Sequence, residues 1–166
     1  MLGIKESIIF SNQRVEFDHM NRLHNMSDVC LNVSYAEGFG LPTLEAMQTG
    51  TPIIAIKTGG LTRQVVDHRD GSENGVALPV EFKTLVGSQQ VPYIYEEYVS
   101  AETIADALMK MYRLGPQKRS ELGQKARDYV MSEFSYQKTI DLWDQTLTDV
   151  IENWKSRYSR WTCHTL

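Results

Sequence analysis

The first half of the chain alternates short apolar runs with helix-like stretches, and this alternation limits the fold more than any other feature of the sequence. Between the first run and the second, for example, apolar residues recur at helical spacing. Such alternation is typical of βαβ units that build a parallel sheet. The expected fold class is therefore α/β, a partial parallel sheet with flanking helices. About four strands are predicted, at residues 7–10, 29–33, 52–56 and 75–78.

A glycine-rich turn follows the second predicted strand and leads into a predicted helix at residues 43–48. Two glutamates, Glu37 and Glu45, flank the turn, and Gly38 and Gly40 lie inside it. In open parallel sheets, ligands bind beyond the carboxyl ends of the strands, where a helix N-terminus offers unpaired N–H groups to a phosphate. Glycines remove the Cβ atoms that would obstruct this approach. The turn is therefore a candidate ligand site. Alternatively, Glu45 only complements the helix dipole and the glycines only form a tight turn.

The composition argues against several classes of protein. The 166 residues include 17 Lys and Arg against 21 Asp and Glu, a net charge of −4, without the long basic run of a nucleic-acid-binding protein. No apolar run reaches the roughly 18–20 residues of a membrane helix, and the N-terminus shows no leader pattern. Cys30 and Cys163 have no framework spacing, and the four histidines form no zinc pattern. We therefore expect a soluble, cytoplasmic protein without a disulfide or a bound metal.

The second half changes to helical periodicity. Ser100 can cap a first helix, Gly115 interrupts the pattern, and Ser135 can cap a third helix after the second one ends. The chain is therefore expected to be a βα core, 1–80, with a helical extension at 100–157 and a tail at 158–166. The third helix carries a broad apolar stripe, formed by Ile140, Trp143, Leu147, Val150 or Ile151, and Trp154.

Residues 29–60 resemble the donor-binding half of retaining glycosyltransferases of the GT-B fold, of the group 1 or family 4 type. The signature of these enzymes is a pair of glutamates separated by seven residues, E-x7-E, and here the pair is Glu37 and Glu45. The resemblance continues more loosely into the C-terminal helices, at residues 133–136. Other matched positions are Ala46, Met47, Gly50, Pro52 and the Gly59-Gly60 turn. The resemblance implies half of a GT-B fold, in which the partial sheet is Rossmann-like.

The resemblance also implies roles for individual residues. Glu37 would be the catalytic residue and accept hydrogen bonds from a hydroxyl of the donor sugar, and Glu45 would bind the ribose hydroxyls of the nucleotide. Carboxylates suit hydroxyl ligands because each oxygen accepts hydrogen bonds. Arg14 and Val15 would lie where such enzymes contact the base, with an ordinary solvated loop as the alternative. The donor-binding turn itself would comprise Gly38, Phe39, Gly40 and Leu41, with backbone amides facing the diphosphate or sugar.

For the complete enzyme, the resemblance implies hexosyl transfer from an NDP-sugar to a glycan, lipid or small acceptor, with retention of anomeric configuration. A UDP-sugar or a GDP-sugar is the expected donor, and neither a permanently bound cofactor nor a metal is implied. Peripheral contact of the complete enzyme with a membrane is compatible with the resemblance.

By the same resemblance, 1–166 is expected to be a single C-terminal nucleotide-sugar-binding domain, truncated at its N-terminal side. The acceptor-binding domain, and an Arg and Lys pair that neutralises the diphosphate, would belong to segments outside it. Lys57 and Arg63 are expected to be surface charges, so the isolated chain should be inactive or weakly active. One alternative is a non-catalytic module that binds a nucleotide or nucleotide sugar and needs a partner chain. Another is a different enzyme of this architecture, such as a sugar phosphorylase or a nucleotide-sugar epimerase.

Two segments have open interpretations. Residues 81–99 hold tyrosines at strand-like spacing, Tyr93, Tyr95 and Tyr98, after a polar stretch with a glycine and a proline. We predict an insertion or long loop there, which either lies on the surface without a specific role or covers the donor pocket or contacts the acceptor domain. The third C-terminal helix would either reach across to the acceptor domain, as in the family, or pack on its own sheet.

Overall fold

The computed structural model describes residues 3–157, apart from the side chain of residue 155. The predicted tail, 158–166, with Cys163, lies outside the described residues. A parallel sheet in the order β1-β2-β3 forms the centre of the fold, so that Leu31 pairs with Ile54 and Ile54 with Val76. The predicted α/β class is confirmed. The three strands are β1 (Cys30–Asn32), β2 (Ile53–Ile56) and β3 (Val76–Leu78).

The predicted strand at residues 7–10 is wrong, so the described sheet has three strands instead of about four. A short 3-10 helix, Lys5–Ser7, occupies the start of this segment. The residues that follow it face solvent, since Ile9 is 95% exposed and Phe10 is 79% exposed. A short apolar run becomes a strand only when a neighbouring strand pairs with it. Among the described residues this run has no such neighbour.

Three helices of the first half alternate with the strands, as predicted for βα units: α1 (Phe17–Met26), α2 (Leu41–Gln48) and α3 (Gly59–Val65). The core lies between α2, α3, the sheet and the long helix that follows Ser100. Its fully buried or nearly buried side chains include Met47, Ile53, Ile54, Ile56, Leu61, Met111 and Val130. Burial of each such side chain stabilises the fold by about 1.5–3 kcal/mol.

Helix α4 (Ala101–Glu133) covers the sheet and α2 and contains a break at Gly115, where φ is 74° and ψ is 168°. The predicted cap is present, because the Ser100 hydroxyl oxygen accepts a hydrogen bond from the backbone N–H of Thr103. Helices α2 and α4 approach closely, since a Cβ atom on Gly123 would lie 1.8 Å from the Gly50 carbonyl oxygen. A larger residue at position 123 would therefore separate the two helices.

Residues 81–99 are not a long loop, because they contain an antiparallel hairpin of β4 (Phe82–Val86) and β5 (Ile94–Tyr98). The alternating tyrosines were the strand signal in this segment. The polar residues between the two strands form the turn. The hairpin is therefore a small second sheet, and whether the segment is an insertion stays a prediction.

Helix α5 (Tyr136–Arg157) ends the described part of the chain. Its predicted apolar stripe is present but does not pack on the sheet, since Trp143 is 63% exposed and Leu147 and Ile151 are also exposed. In the described part of the chain, no helix is long and apolar enough to cross a membrane.

Candidate functional site

The loop between β1 and α2 contains the glycine-rich turn, and Asn32 at the end of β1 ties its two ends together. The Asn32 side-chain amide donates to Thr43 Oγ1 over 2.9 Å, and its Oδ1 accepts from the backbone N–H of Ser34. Asn32 therefore connects the carboxyl end of the strand to the first turn of α2. This places the loop at the sheet edge where open α/β folds bind ligands.

Helix α3 packs directly against the loop and sets its backbone. The N–H of Gly60 donates to the carbonyl oxygen of Glu37 over 3.2 Å. A Cβ atom on Gly60 would lie 2.6 Å from the Cα atom of Phe39, so only glycine permits this approach. The side-chain amide of Gln64 donates to the Phe39 carbonyl oxygen over 2.6 Å. Gly59 and Gly60, predicted as a turn, are the first two residues of α3 and a structural part of the candidate site.

The N-terminus of α2 offers backbone N–H groups without a side-chain cap. Gly40 precedes the helix in the left-handed conformation, with φ of 91°, and no side chain in the described part of the chain caps it. A Cβ atom there would also meet Leu61 Cδ2 at 2.4 Å, so glycine is required for two reasons. Uncapped N–H groups and the positive end of the helix dipole together favour an anion. The site can therefore hold a phosphate group.

The second glutamate lies on the next turn of α2 and faces a cleft between α1 and α2. Glu45 Oε2 lies 3.7 Å from Nε2 of His24, and the Glu45 side chain is 39% exposed. His24 is buried, its carbonyl oxygen accepts a hydrogen bond from Thr51 Oγ1 over 2.6 Å, and its Nε2 has no hydrogen-bond partner among the described residues. The cleft has a volume of about 290 Å³ and is lined by Phe17, Met20, Asn21, His24, Glu45, Gln48 and Thr49.

The predicted base contacts, Arg14 and Val15, lie immediately before α1. Arg14 is exposed and Val15 is half-buried. The first residue of that helix, Phe17, lines the cleft next to Glu45. Their role toward a base stays a prediction.

The β4–β5 hairpin borders the loop on its strand side. The backbone N–H of Glu97 donates to the Tyr35 carbonyl oxygen over 2.7 Å, and the rings of Tyr35 and Tyr98 lie 4.3 Å apart. Hydrogen bonds from the Lys83 ammonium and from the Thr58 side chain hold the pKa of the Glu97 carboxyl below its usual range. The hairpin therefore contacts the segments that precede both Glu37 and α3.

The junction between α4 and α5 also reaches the loop, through an aromatic contact. The ring of Phe134 meets the ring of Phe39 edge to face at 5.8 Å between centroids. The neighbouring Glu133 carboxylate binds the Lys138 ammonium at 2.7 Å and the Arg63 guanidinium at 3.3 Å. Lys138 is the main cause of the lowered pKa of Glu133. Arg63 and Lys57 were expected to be surface charges, and both are exposed. Arg63 also joins α3 to this junction through its ion pair with Glu133.

The ionic contacts of Glu133 extend into the loop that follows α3, where the Arg69 guanidinium lies 3.6 Å from the Glu133 carboxylate. Asp67 accepts hydrogen bonds from the Arg69 guanidinium, which lower the pKa of the Asp67 carboxyl to about 2. No group of three or more potential metal-binding side chains is present among residues 3–157. Cys30 is a free cysteine, and burial raises the pKa of its thiol.

The structure adds site residues that the sequence analysis did not identify, namely His24, Gln64 and Phe134. The sequence offered one sign that Gln64 is special. It lies between apolar core positions of a short helix, where an apolar residue is the usual choice. His24 gave no such signal, because it is the one buried residue of α1 while Leu23 and Met26 on the same helix are exposed. Phe134 was noted only as part of a loose resemblance, and its contact with Phe39 depends on the tertiary fold.

Comparison with known proteins agrees with this geometry. The family described as Glycosyl transferases group 1 matches residues 1–129. The N-acetyl-alpha-D-glucosaminyl L-malate synthase of Bacillus anthracis is 27% identical over 155 residues, which is 93% of this chain and 34% of that protein. The chain thus spans about a third of the length of this curated relative.

Three solved structures share the fold. Sucrose-phosphate synthase (tll1590) from Thermosynechococcus elongatus superimposes with a TM-score of 0.64 at 24% identity, covering 87% of this chain and 31% of that chain. The C-terminal domain of the glycosyl transferase group 1 family protein LpcC from Francisella tularensis has a TM-score of 0.60 at 26% identity, covering 81% and 57%. Anabaena Alr3699/HepE, solved in complex with UDP-glucose, has a TM-score of 0.52 at 22% identity, covering 78% and 30%.

The matched residues include the whole glycine-rich loop, both glutamates and the Gly59-Gly60 pair that begins α3. One segment thus combines the fold of these enzymes with the E-x7-E pair and the uncapped helix N-terminus. This chain therefore belongs to the glycosyl transferases group 1 family and has the GT-B type of α/β architecture.

Proposed function

We propose that this chain is the donor-binding part of a retaining glycosyltransferase, which transfers a hexosyl group from an NDP-sugar to a glycan, lipid or small acceptor. One observation carries the proposal: the E-x7-E pair flanks a helix N-terminus that no side chain of residues 3–157 caps. Carboxylates on both sides of a phosphate site suit a ligand that has hydroxyl groups at both ends of a diphosphate.

Each glutamate has a distinct task in this proposal. Glu45, at the cleft between α1 and α2, binds the ribose hydroxyls. Glu37 accepts a hydrogen bond from a hydroxyl of the donor sugar. The backbone amides of the loop and the dipole of α2 stabilise the negative charge that develops on the departing nucleotide. Catalysis by this part of the enzyme is therefore electrostatic, and neither glutamate acts as a nucleophile.

A UDP-sugar or a GDP-sugar is the proposed donor. The support for a nucleotide sugar is the UDP-glucose bound by Anabaena Alr3699/HepE, together with the match to the family. No permanently bound cofactor takes part in the proposed reaction.

The acceptor is proposed to bind mainly outside this domain. The chain spans about a third of its curated relative, which leaves room for an acceptor-binding domain in such proteins. The exposed apolar stripe of α5, which includes Trp143 and Leu147, supports a contact between α5 and that domain. The activity of the isolated chain is then weak or absent.

A second candidate is a nucleotide-binding module that needs a partner chain for any chemistry. The observation that favours it is the ion pair of Arg63 with Glu133. Because Arg63 is the basic residue of α3, a basic side chain that neutralises the diphosphate would then have to come from elsewhere.

Calorimetric titration with UDP, GDP and ADP tests the proposal. The chain should bind one of the three saturably, and Glu45→Ala should weaken that binding by about tenfold, because two ribose hydroxyls lose a charged acceptor. Glu102→Ala is the matched control, since Glu102 is an exposed glutamate on α4. An unchanged affinity in Glu45→Ala, or no binding of any nucleotide by the unmodified chain, would overturn the proposal.

A further inference from the structure

Gln64 is an unusual core residue. Its side chain is fully buried between the apolar core residues Leu61 and Val65 on α3. The amide nitrogen donates to the Phe39 carbonyl oxygen over 2.6 Å. The amide oxygen, Oε1, has no hydrogen-bond partner among the described residues. A buried polar group that is only partly paired is costly compared with an apolar side chain of similar volume. The bond to Phe39 is therefore the one interaction that distinguishes Gln64 from an apolar residue.

The orientation of the Gln64 amide follows from its partner. A carbonyl oxygen only accepts hydrogen bonds, so the nitrogen of the amide must face Phe39. The oxygen then lies toward Gly40, at 3.4 Å from the position of a Cβ atom there. Gln64 thus hydrogen-bonds to the backbone of Phe39, and its amide oxygen lies on the side of Gly40 where a Cβ atom would stand.

The position of the Phe39 carbonyl has a consequence for the next amide. The described chain contains no cis peptide bond. In a trans peptide the C=O and the following N–H point in opposite directions. Because Gln64 holds the Phe39 carbonyl toward α3, the N–H of Gly40 points away from α3. The bond from Gly60 to the Glu37 carbonyl has the same effect on the N–H of Gly38.

We infer that Gln64 is a positioning residue of the donor site. It fixes the peptide between Phe39 and Gly40 so that the Gly40 N–H faces the diphosphate, and it does so without touching the nucleotide. This inference rests on the proposed function for the identity of the ligand. The link between Gln64 and the loop backbone does not depend on the ligand.

Gln64→Met tests the inference, because methionine keeps the length of the side chain and removes the donor. Asn74→Leu is the matched control: Asn74 is also a fully buried amide, its oxygen has no hydrogen-bond partner within residues 3–157, and it donates to the Gln64 carbonyl oxygen over 3.1 Å. Both variants delete a buried amide, but only Gln64 contacts the loop.

Two measurements on the chain separate a positioning role from a purely structural one. Hydrogen exchange of peptides that cover residues 37–44 reports the order of the loop, and titration with UDP and GDP reports affinity. Gln64→Met should speed exchange of the loop and weaken nucleotide binding by about five- to tenfold, whereas Asn74→Leu should do neither. Equal behaviour of the two variants would overturn the inference.

Gln64→Glu keeps the test informative if Gln64→Met does not fold. A protonated carboxyl can donate to the Phe39 carbonyl, whereas a carboxylate cannot. The Kd of Gln64→Glu for the nucleotide is divided by that of the unmodified chain at the same pH. This ratio should therefore be smaller at about pH 5.5 than at about pH 8. A ratio that does not change with pH would count against the inference. If the unmodified chain binds neither nucleotide while Gln64→Met still speeds loop exchange, the proposed function fails and the link between Gln64 and the loop stands.

Discussion

The backbone N–H of Gly60 donates to the Glu37 carbonyl oxygen over 3.2 Å, so the conformation of the first glutamate depends on α3. The loop before α2 is therefore not an independent turn. Its backbone is held from one side by α3, and its aromatic residue, Phe39, contacts Phe134 from the C-terminal helices.

Gly60→Ala should damage the site and the fold together. The new Cβ atom would lie 2.6 Å from the Phe39 Cα atom and 2.7 Å from the Gly38 carbonyl oxygen, and the backbone would have to move. We expect a loss of about 1–3 kcal/mol in the free energy of unfolding and at least about a tenfold loss of UDP affinity. Urea unfolding and calorimetric titration measure the two effects.

Gly38→Ala is the control for that prediction. No atom lies within 4 Å of the position that a Cβ atom on Gly38 would occupy, so stability should change by less than about 0.5 kcal/mol. Nucleotide affinity should still fall, because the methyl group stands where the ligand approaches. A Gly60→Ala variant with normal stability and affinity would show that the loop adapts and does not require α3.

Glu37→Gln should change sugar recognition and spare the nucleotide. An amide at this position keeps the shape but replaces an acceptor with a donor and removes the charge. The ratio of UDP-glucose affinity to UDP affinity should fall severalfold, while UDP affinity itself stays nearly constant. Glu45→Gln should lower UDP affinity and leave the ratio of UDP-glucose affinity to UDP affinity nearly constant. Equal losses of UDP affinity in both variants would contradict the separate roles of the two carboxylates.

Acid should destabilise the chain through its low-pKa carboxylates. The pKa of Asp67 is about 2 in the folded chain against an ordinary value of 3.8, and that of Glu133 is also lowered. The unfolded chain then binds more protons, so this stabilisation is complete above the unfolded pKa values and is lost as the pH falls through the folded ones. The free energy of unfolding, measured with urea, should decline less between about pH 5 and about pH 2 in Asp67→Asn than in the unmodified chain. An equal change of the free energy of unfolding with pH in both proteins would contradict the assignment of this stabilisation to Asp67.

The apolar stripe of α5 should contribute little to the stability of this domain. Trp143 is 63% exposed, so Trp143→Gln should change the free energy of unfolding by less than about 0.5 kcal/mol. Met111 on α4 is only 2% exposed, so Met111→Ala should cost about 2–5 kcal/mol. Thermal and urea unfolding of both variants provide the comparison. A large loss in Trp143→Gln would mean that the helix packs on its own domain.

The βα units around the candidate site were predictable because their signals are local. Apolar runs punctuated by glycines indicated β1, α2 and β2, and the two glutamates marked the loop between them. The strand predicted at residues 7–10 failed because strand formation depends on a partner that the local sequence does not reveal. The hairpin was missed because its turn is polar and glycine-containing, although the tyrosines alternate as strand residues do.

The contacts that hold the site could not be read from the sequence. Gln64 and Phe39 lie 25 residues apart, and their hydrogen bond exists only because α3 packs beneath the loop. The approach of His24 to Glu45 likewise requires α1 and α2 to lie side by side. Motifs identify the groups that bind a ligand, whereas the groups that orient them depend on tertiary structure.

A crystal structure of the chain with UDP tests the central claim most directly. We expect the diphosphate to lie against the backbone amides of residues 38–41, and the ribose hydroxyls to lie within hydrogen-bond distance of the Glu45 carboxylate. UDP bound elsewhere, such as the cleft beside Asp67 and Tyr129, with the glycine-rich loop left without ligand, would contradict the account.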